Sequence, residues 1–196
     1  MSKLKKIFFF SNNVNKIKEI NELFRGIYIN VLSTKDLGIN IEPKENGLSF
    51  AENAKIKSTF GYESSKIPCF ADDSGICIEA LGWKPNIFSK RFIDSFKNYN
   101  ECFNYIIDKV KKSKKDKAYF KTSICLTLKT NYHIVFEGKV GGKISKTIKG
   151  QNGFGYDPIF IPNGFSKTYG EIGKKEKNIL SHRSIATNKL INFFSN

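Results

Sequence analysis

The chain lacks any apolar run near the ~20 residues that cross a bilayer, so a membrane-spanning helix is not expected. Histidine is scarce (2), and the 4 cysteines lie far apart, with no Cys-x-x-Cys pair. That spacing excludes a zinc centre of the usual kind and makes disulfides unexpected. Cys69, Cys77 and Cys125 sit in strand-like runs, where a free thiol serves as a small core residue. Acid is also short: 18 Asp+Glu face 33 Lys+Arg, a net charge of +15, so partners should be anionic. Nucleic acid is the first candidate and nucleotides the second. No recognised nucleic-acid motif is present, however, and the one lysine block, residues 109–117, reads as a solvated helix end and loop.

What is present points to a globular chain. Apolar residues make up 40%, with 18 Phe among them, which argues against disorder. The length suits one domain spanning 1–196. The opening is basic, but the apolar stretch after it covers only residues 7–10, below the ~7–15 of a signal segment. It reads as a first strand, and the protein as cytoplasmic.

The organising stretch is Phe70-Ala71-Asp72-Asp73-Ser74-Gly75-Ile76-Cys77-Ile78. Successive strand side chains point to opposite faces, so Asp72 and Asp73 cannot serve one ligand together while the strand stays regular. One should enter a site and the other brace the backbone, with Gly75 permitting a sharp exit. Carboxylates so placed are hard oxygen ligands suited to Mg2+; Asp-Asp-Ser-Gly alone reads better as an Asx-type turn, and the surrounding sequence reverses that preference.

Before this stretch, strand 6–10 runs into Ser11-Asn12-Asn13-Val14-Asn15-Lys16 and a helix carrying Val14, Ile17, Ile20 and Phe24 on one face. A helix start beside a lysine offers free N–H groups and a positive dipole end to a phosphate, though without P-loop glycines. A second strand follows at 27–32, then a loop 35–45 ending in Glu42 and Glu45. A helix over 49–65 has Ser49 as N-cap and Glu52 completing a capping box.

After the acidic stretch, residues 81–91 read as a turn-rich aromatic loop and 100–112 as an amphipathic helix. Residues 118–128 and 132–140 form a hairpin through 129–131, with a bend or bulge at Gly141-Gly142. Gly153-Phe154-Gly155-Tyr156-Asp157 is a glycine-rich loop whose aromatics suit stacking on a base. A short strand covers 158–161. Ser181 caps a last helix that puts His182 and Arg183 in its first turn, where a cation opposes the dipole and suggests a bound anion.

Taken together these pieces resemble the inosine triphosphate pyrophosphatase family, the NTP pyrophosphatases of non-standard purine nucleotides. Ser11-Asn-Asn-Val-Asn-Lys16-Ile-Lys-Glu19 is similar to its opening motif. Glu45-Asn-Gly47-Leu-Ser-Phe50-Ala-Glu52-Asn53-Ala54-x-x-Lys57 and Ala71-Asp-Asp-Ser-Gly75-Ile are similar to its second and third. Gly153-Phe-Gly-Tyr-Asp-Pro-Ile-Phe160 and Glu176-Lys177-Asn178-x-x-Ser181-His182-Arg183 complete the set. Departures fall at Ser11-Asn12, at Gly82-Trp83-Lys84-Pro85-Asn86 and at Thr168-Tyr169-Gly170-Glu171.

The resemblance implies an α/β fold with a long twisted mixed β-sheet flanked by helices, two lobes with an active-site cleft between them, and a homodimer. It implies hydrolysis of ITP, dITP or XTP to the monophosphate and pyrophosphate, with Mg2+. Asp73 would orient the water, with Asp72 and Glu42 or Glu45 on the metal side, and Asp73 itself as a metal ligand. Lys16 and the backbone of Ser11, Asn12, Asn13, Val14 and Asn15 would hold the triphosphate, with help from Lys55 or Lys57. Lys177 and Arg183 would complete the cationic lining, Arg183 by bidentate phosphate contact, and Ser74 would donate to phosphate or sugar. Phe154, Gly155, Tyr156, Asp157, Lys177, His182 and Arg183 would enclose the nucleotide, with Phe154 on the purine and His182 at its 6-oxo group. The rivals are a nucleic-acid-binding module and a pyrophosphatase for a modified pyrimidine.

Overall fold

The computed structural model describes residues 5–195; the basic start, residues 1–4, lies outside them. In chain order the elements are β1 (Lys6–Phe9), α1 (Val14–Leu23), β2 (Asn30–Ser33), α2 (Phe50–Ser65), β3 (Cys69–Ile78), β4 (Lys84–Pro85), α3 (Ser89–Asp94) and α4 (Tyr99–Ser113). Then come β5 (Lys117–Lys129), β6 (Tyr132–Ile144), β7 (Phe160–Pro162), α5 (Lys174–Leu180) and α6 (His182–Ser195). The strands form one sheet in the order β2-β1-β3-β5-β6-β7, with β4 on β3. Pairing is mixed: β1 lies parallel to β2 and β3, while β6 and β7 are antiparallel. This is the mixed α/β sheet with flanking helices that the resemblance implied.

The chain divides into two compact units: residues up to Asp73 with 122–137 and the segment from Ser184, and residues 74–121 with 138–183. In the first unit β1 is apolar at every interior position because both of its faces are covered. Ile7 and Phe9 join a core with Ile20, Phe24, Phe70, Ile124, Leu126 and Leu190, while Phe8 and Phe10 join Cys69 and Ala71. Phe9 stacks on Phe70 at 4.8 Å between ring centroids. In the second unit Ile76, Ile78, Phe103, Ile106, Phe120, Tyr156, Phe160 and Tyr169 form the core.

Several expectations are corrected. The chain does not turn at Gly75: β3 runs straight through it for 10 residues, because Ile76, Cys77 and Ile78 beyond are buried as deeply as Cys69, Phe70 and Ala71 before it. Ser49 does cap α2, accepting the Glu52 N–H at 3.2 Å, but the Glu52 carboxylate answers Leu48 N–H at 2.7 Å and not Ser49. The second strand starts later than expected, at Asn30. Residues 81–91 hold β4 and the start of α3, and α5 went unforeseen. At Gly142 the sheet is simply tight: a Cβ there would lie 2.3 Å from the Ile161 carbonyl of β7. All four cysteines are free and buried. No described helix is long and apolar enough to cross a membrane.

Candidate functional site

Strand alternation sends the two adjacent carboxylates to different helices. Asp72, on one face of β3, meets Lys16 of α1 at 3.0 Å with only 1% of its side chain exposed. Asp73, on the other face, meets α2. There Asn53 Nδ2 donates to Asp73 Oδ2 at 3.1 Å, and Lys57 Nζ lies 3.5 Å from Oδ1. Lys57 also reaches Glu45 Oε1 at 3.1 Å, so one ammonium gathers two carboxylates.

The helix is built to do this. Asn53, Lys57 and Gly61 are spaced four apart and therefore share a face. Gly61 lets that face come close, since a Cβ there would stand 2.5 Å from Cys69 Sγ. The Asn53 amide is also oriented: its Oδ1 accepts Gly47 N–H at 2.9 Å, leaving its NH2 for Asp73. A Cβ on Gly47 would crowd that Oδ1 at 2.7 Å, which explains the glycine.

Charges inside this cluster follow from burial. Burial pushes the Asp73 carboxyl above its ordinary value, against the pull of Lys57 and Lys16. Burial disfavours the Lys57 ammonium, but Asp73, Asp72 and Glu45 outweigh it and hold its pKa above the ordinary value. Three acids thus surround two lysines, and the donors are all oxygen.

The first turn is occupied by its own cap. Asn13 Oδ1 accepts the N–H groups of Asn15 and Lys16 at 3.0 and 3.2 Å, and Ser11 Oγ accepts that of Asn13 at 3.2 Å. Val14 is exposed. Asn12 Nδ2 donates to Glu42 Oε1 at 2.8 Å, and its Oδ1 accepts from Thr34 at 2.7 Å. Glu42 therefore stands with Asn12, while Glu45 stands with Asp73. Lys55 is exposed, and its charge acts on Cys125 and His133 instead of Asp73.

The second unit holds a cluster of its own. The Gly153–Asp157 loop closes on the Asp157 carboxylate, whose Oδ2 accepts Phe154 N–H at 2.7 Å and Lys177 Nζ at 2.6 Å. Gly153 has φ +75°, and a Cβ there would fall 2.0 Å from the same oxygen. Gly155 also has positive φ. Lys177 Nζ lies 4.8 Å from the Phe154 ring centroid and the Arg183 guanidinium 5.6 Å, so a half-buried ring faces two cations. Arg183, only 2% exposed, donates to Ser74 Oγ at 2.8 Å.

His182 is buried and stacks on Phe120, with centroids 4.6 Å apart and the planes tilted by 8°. Tyr156 is a core residue whose hydroxyl donates to the Ser89 carbonyl at 2.7 Å; burial pushes its pKa up. Among the described residues no group of three or more His, Cys, Asp or Glu side chains is placed to hold a metal ion. The cluster fits a cation in another way. Glu45 and Asp73 already share Lys57, and Mg2+ commonly takes only one or two protein carboxylates, leaving its other positions to water and phosphate.

Sequence reasoning named most of these residues but gave no role to Asn53 and weighed Lys57 only beside Lys55. Their spacing of four within Glu52-Asn53-Ala54-x-x-Lys57 was the available signal, since it puts them on one helical face.

Fold and clusters together define an α/β protein that presents lysine-paired carboxylates in one unit and an aromatic ring flanked by buried cations in the other. The chain belongs to the Ham1 family, whose profile matches residues 7–193. It is 37% identical over 188 residues to the dITP/XTP pyrophosphatase of Flavobacterium psychrophilum, covering 96% of this chain and 98% of that one. The enzyme of the same name from Aquifex aeolicus is 35% identical, with 97% of each chain covered. Among solved structures, a HAM1 protein from Coxiella burnetii superposes with TM-score 0.87 at 31% identity, covering 98% of this chain and 99% of that one. A nucleoside-triphosphatase / dITP/XTP pyrophosphatase from Mycobacterium abscessus does so with TM-score 0.74 at 32% identity, covering 94% and 98%.

Proposed function

We propose that this protein is a nucleoside-triphosphate pyrophosphohydrolase that converts dITP, ITP and XTP to the monophosphate and pyrophosphate. The reading rests on one observation above others: buried Asp73 is held by Asn53 and by Lys57, which it shares with Glu45, in a chain whose near full-length relatives bear that activity in their names. It also takes the protein as cytoplasmic and, as the family resemblance implies, as a homodimer.

In this mechanism a water oxygen attacks the α-phosphorus, the bond from that phosphorus to the α–β bridging oxygen breaks, and pyrophosphate leaves. Asp73 orients the attacking water, and its carboxylate is the acceptor nearest to take the proton. Asn53 keeps the carboxylate aimed, because its own amide is fixed by Gly47. Lys16 and Lys57 supply positive charge for the phosphates, where positioning and electrostatic stabilisation do most of the work. Asp73 and Glu45 would hold Mg2+, with Asp72 bracing Lys16; when bound, the metal neutralises phosphate charge and orients the water.

The second unit's cluster reads the nucleoside. Phe154 offers a face for the purine, and Lys177, Arg183 and Ser74 offer donors. Asp157 holds Lys177 and the Phe154 backbone in place. His182, aligned by Phe120, is assigned to the 6-oxo group. A donor fixed in a buried site discriminates strongly, because an amino group in place of the keto oxygen leaves it without an acceptor.

The test is pyrophosphate release by the purified protein with Mg2+ from dITP and XTP against dATP, whose 6-amino group would leave the His182 donor without an acceptor. The first pair should be faster by at least about a hundredfold in kcat/KM. Equal rates, or activity undiminished by removing all divalent metal, would overturn the reading.

A further inference from the structure

We propose that the Lys57 ammonium is a placeholder for the divalent ion: it joins Glu45 to Asp73 until the metal takes those carboxylates, and then turns to the nucleotide's phosphates. The inference deepens the pyrophosphohydrolase reading and rests on its Mg2+. Lys57 Nζ lies 3.1 Å from Glu45 Oε1 and 3.5 Å from Asp73 Oδ1. Among the described residues these two acids are its only hydrogen-bond and ion-pair partners. The tip is therefore held by the same carboxylates that would take the metal.

The two oxygens of Asp73 have different partners. Oδ2 accepts from Asn53 Nδ2 at 3.1 Å, and Gly47 N–H holds that amide through its Oδ1. Oδ1 faces Lys57. One oxygen is thus anchored by a neutral donor that keeps the carboxylate aimed, while the other is served by a cation that another cation can replace. Lys16 cannot take this part, because it sits 3.0 Å from Asp72, on the opposite face of β3. A lysine suits the exchange, since its compact charge rides on a flexible four-carbon stem.

Charge balance favours the exchange. With all five groups ionised, the carboxylates of Asp72, Asp73 and Glu45 exceed the ammoniums of Lys16 and Lys57 by one. A divalent ion entering beside both lysines reverses that sign and sets two cations against the same oxygens, a repulsion that burial strengthens. Lys57 escapes it by swinging to a phosphate, which also brings negative charge to the crowded site. Metal and nucleotide should accordingly each tighten the other's binding. A Lys57 that stayed fixed on both acids would instead act as a tether, and its removal would loosen the metal.

The probe is Mn2+, added without nucleotide to the full chain stripped of metal and followed by the spin resonance of the free ion. Lys57→Met should bind Mn2+ at least about tenfold tighter than the wild type, a coupling of ordinary size between competing ligands. Lys57→Arg keeps the charge and should bind as the wild type does. Asn53→Ala removes a neutral partner of Asp73 and should bind no tighter than the wild type. Added Mg2+ should raise the thermal midpoint of Lys57→Met more than that of the wild type, since the tighter ligand stabilises more. If Lys57→Met fails to fold, Lys57→Gln, which keeps a hydrogen-bond donor, carries the comparison. Unchanged or weaker binding by the neutral variants, or equal tightening by Lys57→Arg or Asn53→Ala, would overturn the proposal. No nucleotide enters this measurement, so its failure leaves dITP hydrolysis by the wild type standing. Failure of the hydrolysis reading shows separately, as equal rates on dITP and dATP.

Discussion

Lys177 Nζ stands 2.6 Å from Asp157 Oδ2, and both side chains are nearly sealed from water. The same oxygen holds Phe154 N–H, so one carboxylate fixes a cation and the backbone of the loop that carries the stacking ring. Removing one partner of a buried ion pair leaves the other's desolvation uncompensated. Asp157→Ala should therefore lower stability by about 3–5 kcal/mol in urea unfolding and raise the KM for dITP more than it lowers kcat. An unchanged unfolding midpoint would show that the pair does not hold the loop.

Glu42 and Glu45 are three residues apart in one loop but face different partners. Glu45 shares Lys57 with Asp73, while Glu42 accepts from Asn12. Glu45→Gln should raise the Mg2+ concentration for half-maximal activity by roughly tenfold, as loss of a carboxylate ligand or its close support does. Glu42→Gln should leave that concentration unchanged within error. The reverse ranking would move the metal side of the site to Asn12.

Burial raises every thiol, and Cys102 reaches about 12 from an ordinary 9.0. For an acid whose folded pKa exceeds its unfolded one, the native state binds the extra proton, so stability falls as pH rises through that interval. The urea midpoint should accordingly decline from pH 9.0 toward about 12, where unfolded Cys102 ionises and folded Cys102 does not. Cys102→Ala should flatten that decline. None of the thiols should react with iodoacetamide in the native state at neutral pH, because the thiolate is the reacting form.

How much of this was legible beforehand depended on how local each cause is. The buried strand at residues 6–9 and the Ser49 cap announce themselves within a few residues, since a doubly covered strand and a helix N-cap are local events. The division of Asp72 and Asp73 between two faces followed from strand geometry alone. Gly75 misled because Asp-Ser-Gly is turn chemistry locally, and only the buried Ile76 and Ile78 beyond it keep the chain extended. Tyr156 read as a stacking residue beside Phe154, yet its hydroxyl answers Ser89, 67 positions away, a partner no window around the loop contains. The choice between Glu42 and Glu45 was open for the same reason: both sit in one loop, and what separates them is a lysine on α2 and an asparagine before α1.

Asp73 and Ser74 are joined by one peptide bond but fall in different compact units, and the first unit takes its last piece from Ser184 onward. A ribosome must therefore pass residue 191 before that unit can finish its core, because Leu190 and Ile191 pack with Ile7 and Phe9 more than 180 residues earlier. Nascent chains truncated before α6 would be left with that apolar surface uncovered and prone to aggregate. Such interleaving also means that neither half can be excised, expressed or exchanged between genes as a self-sufficient module.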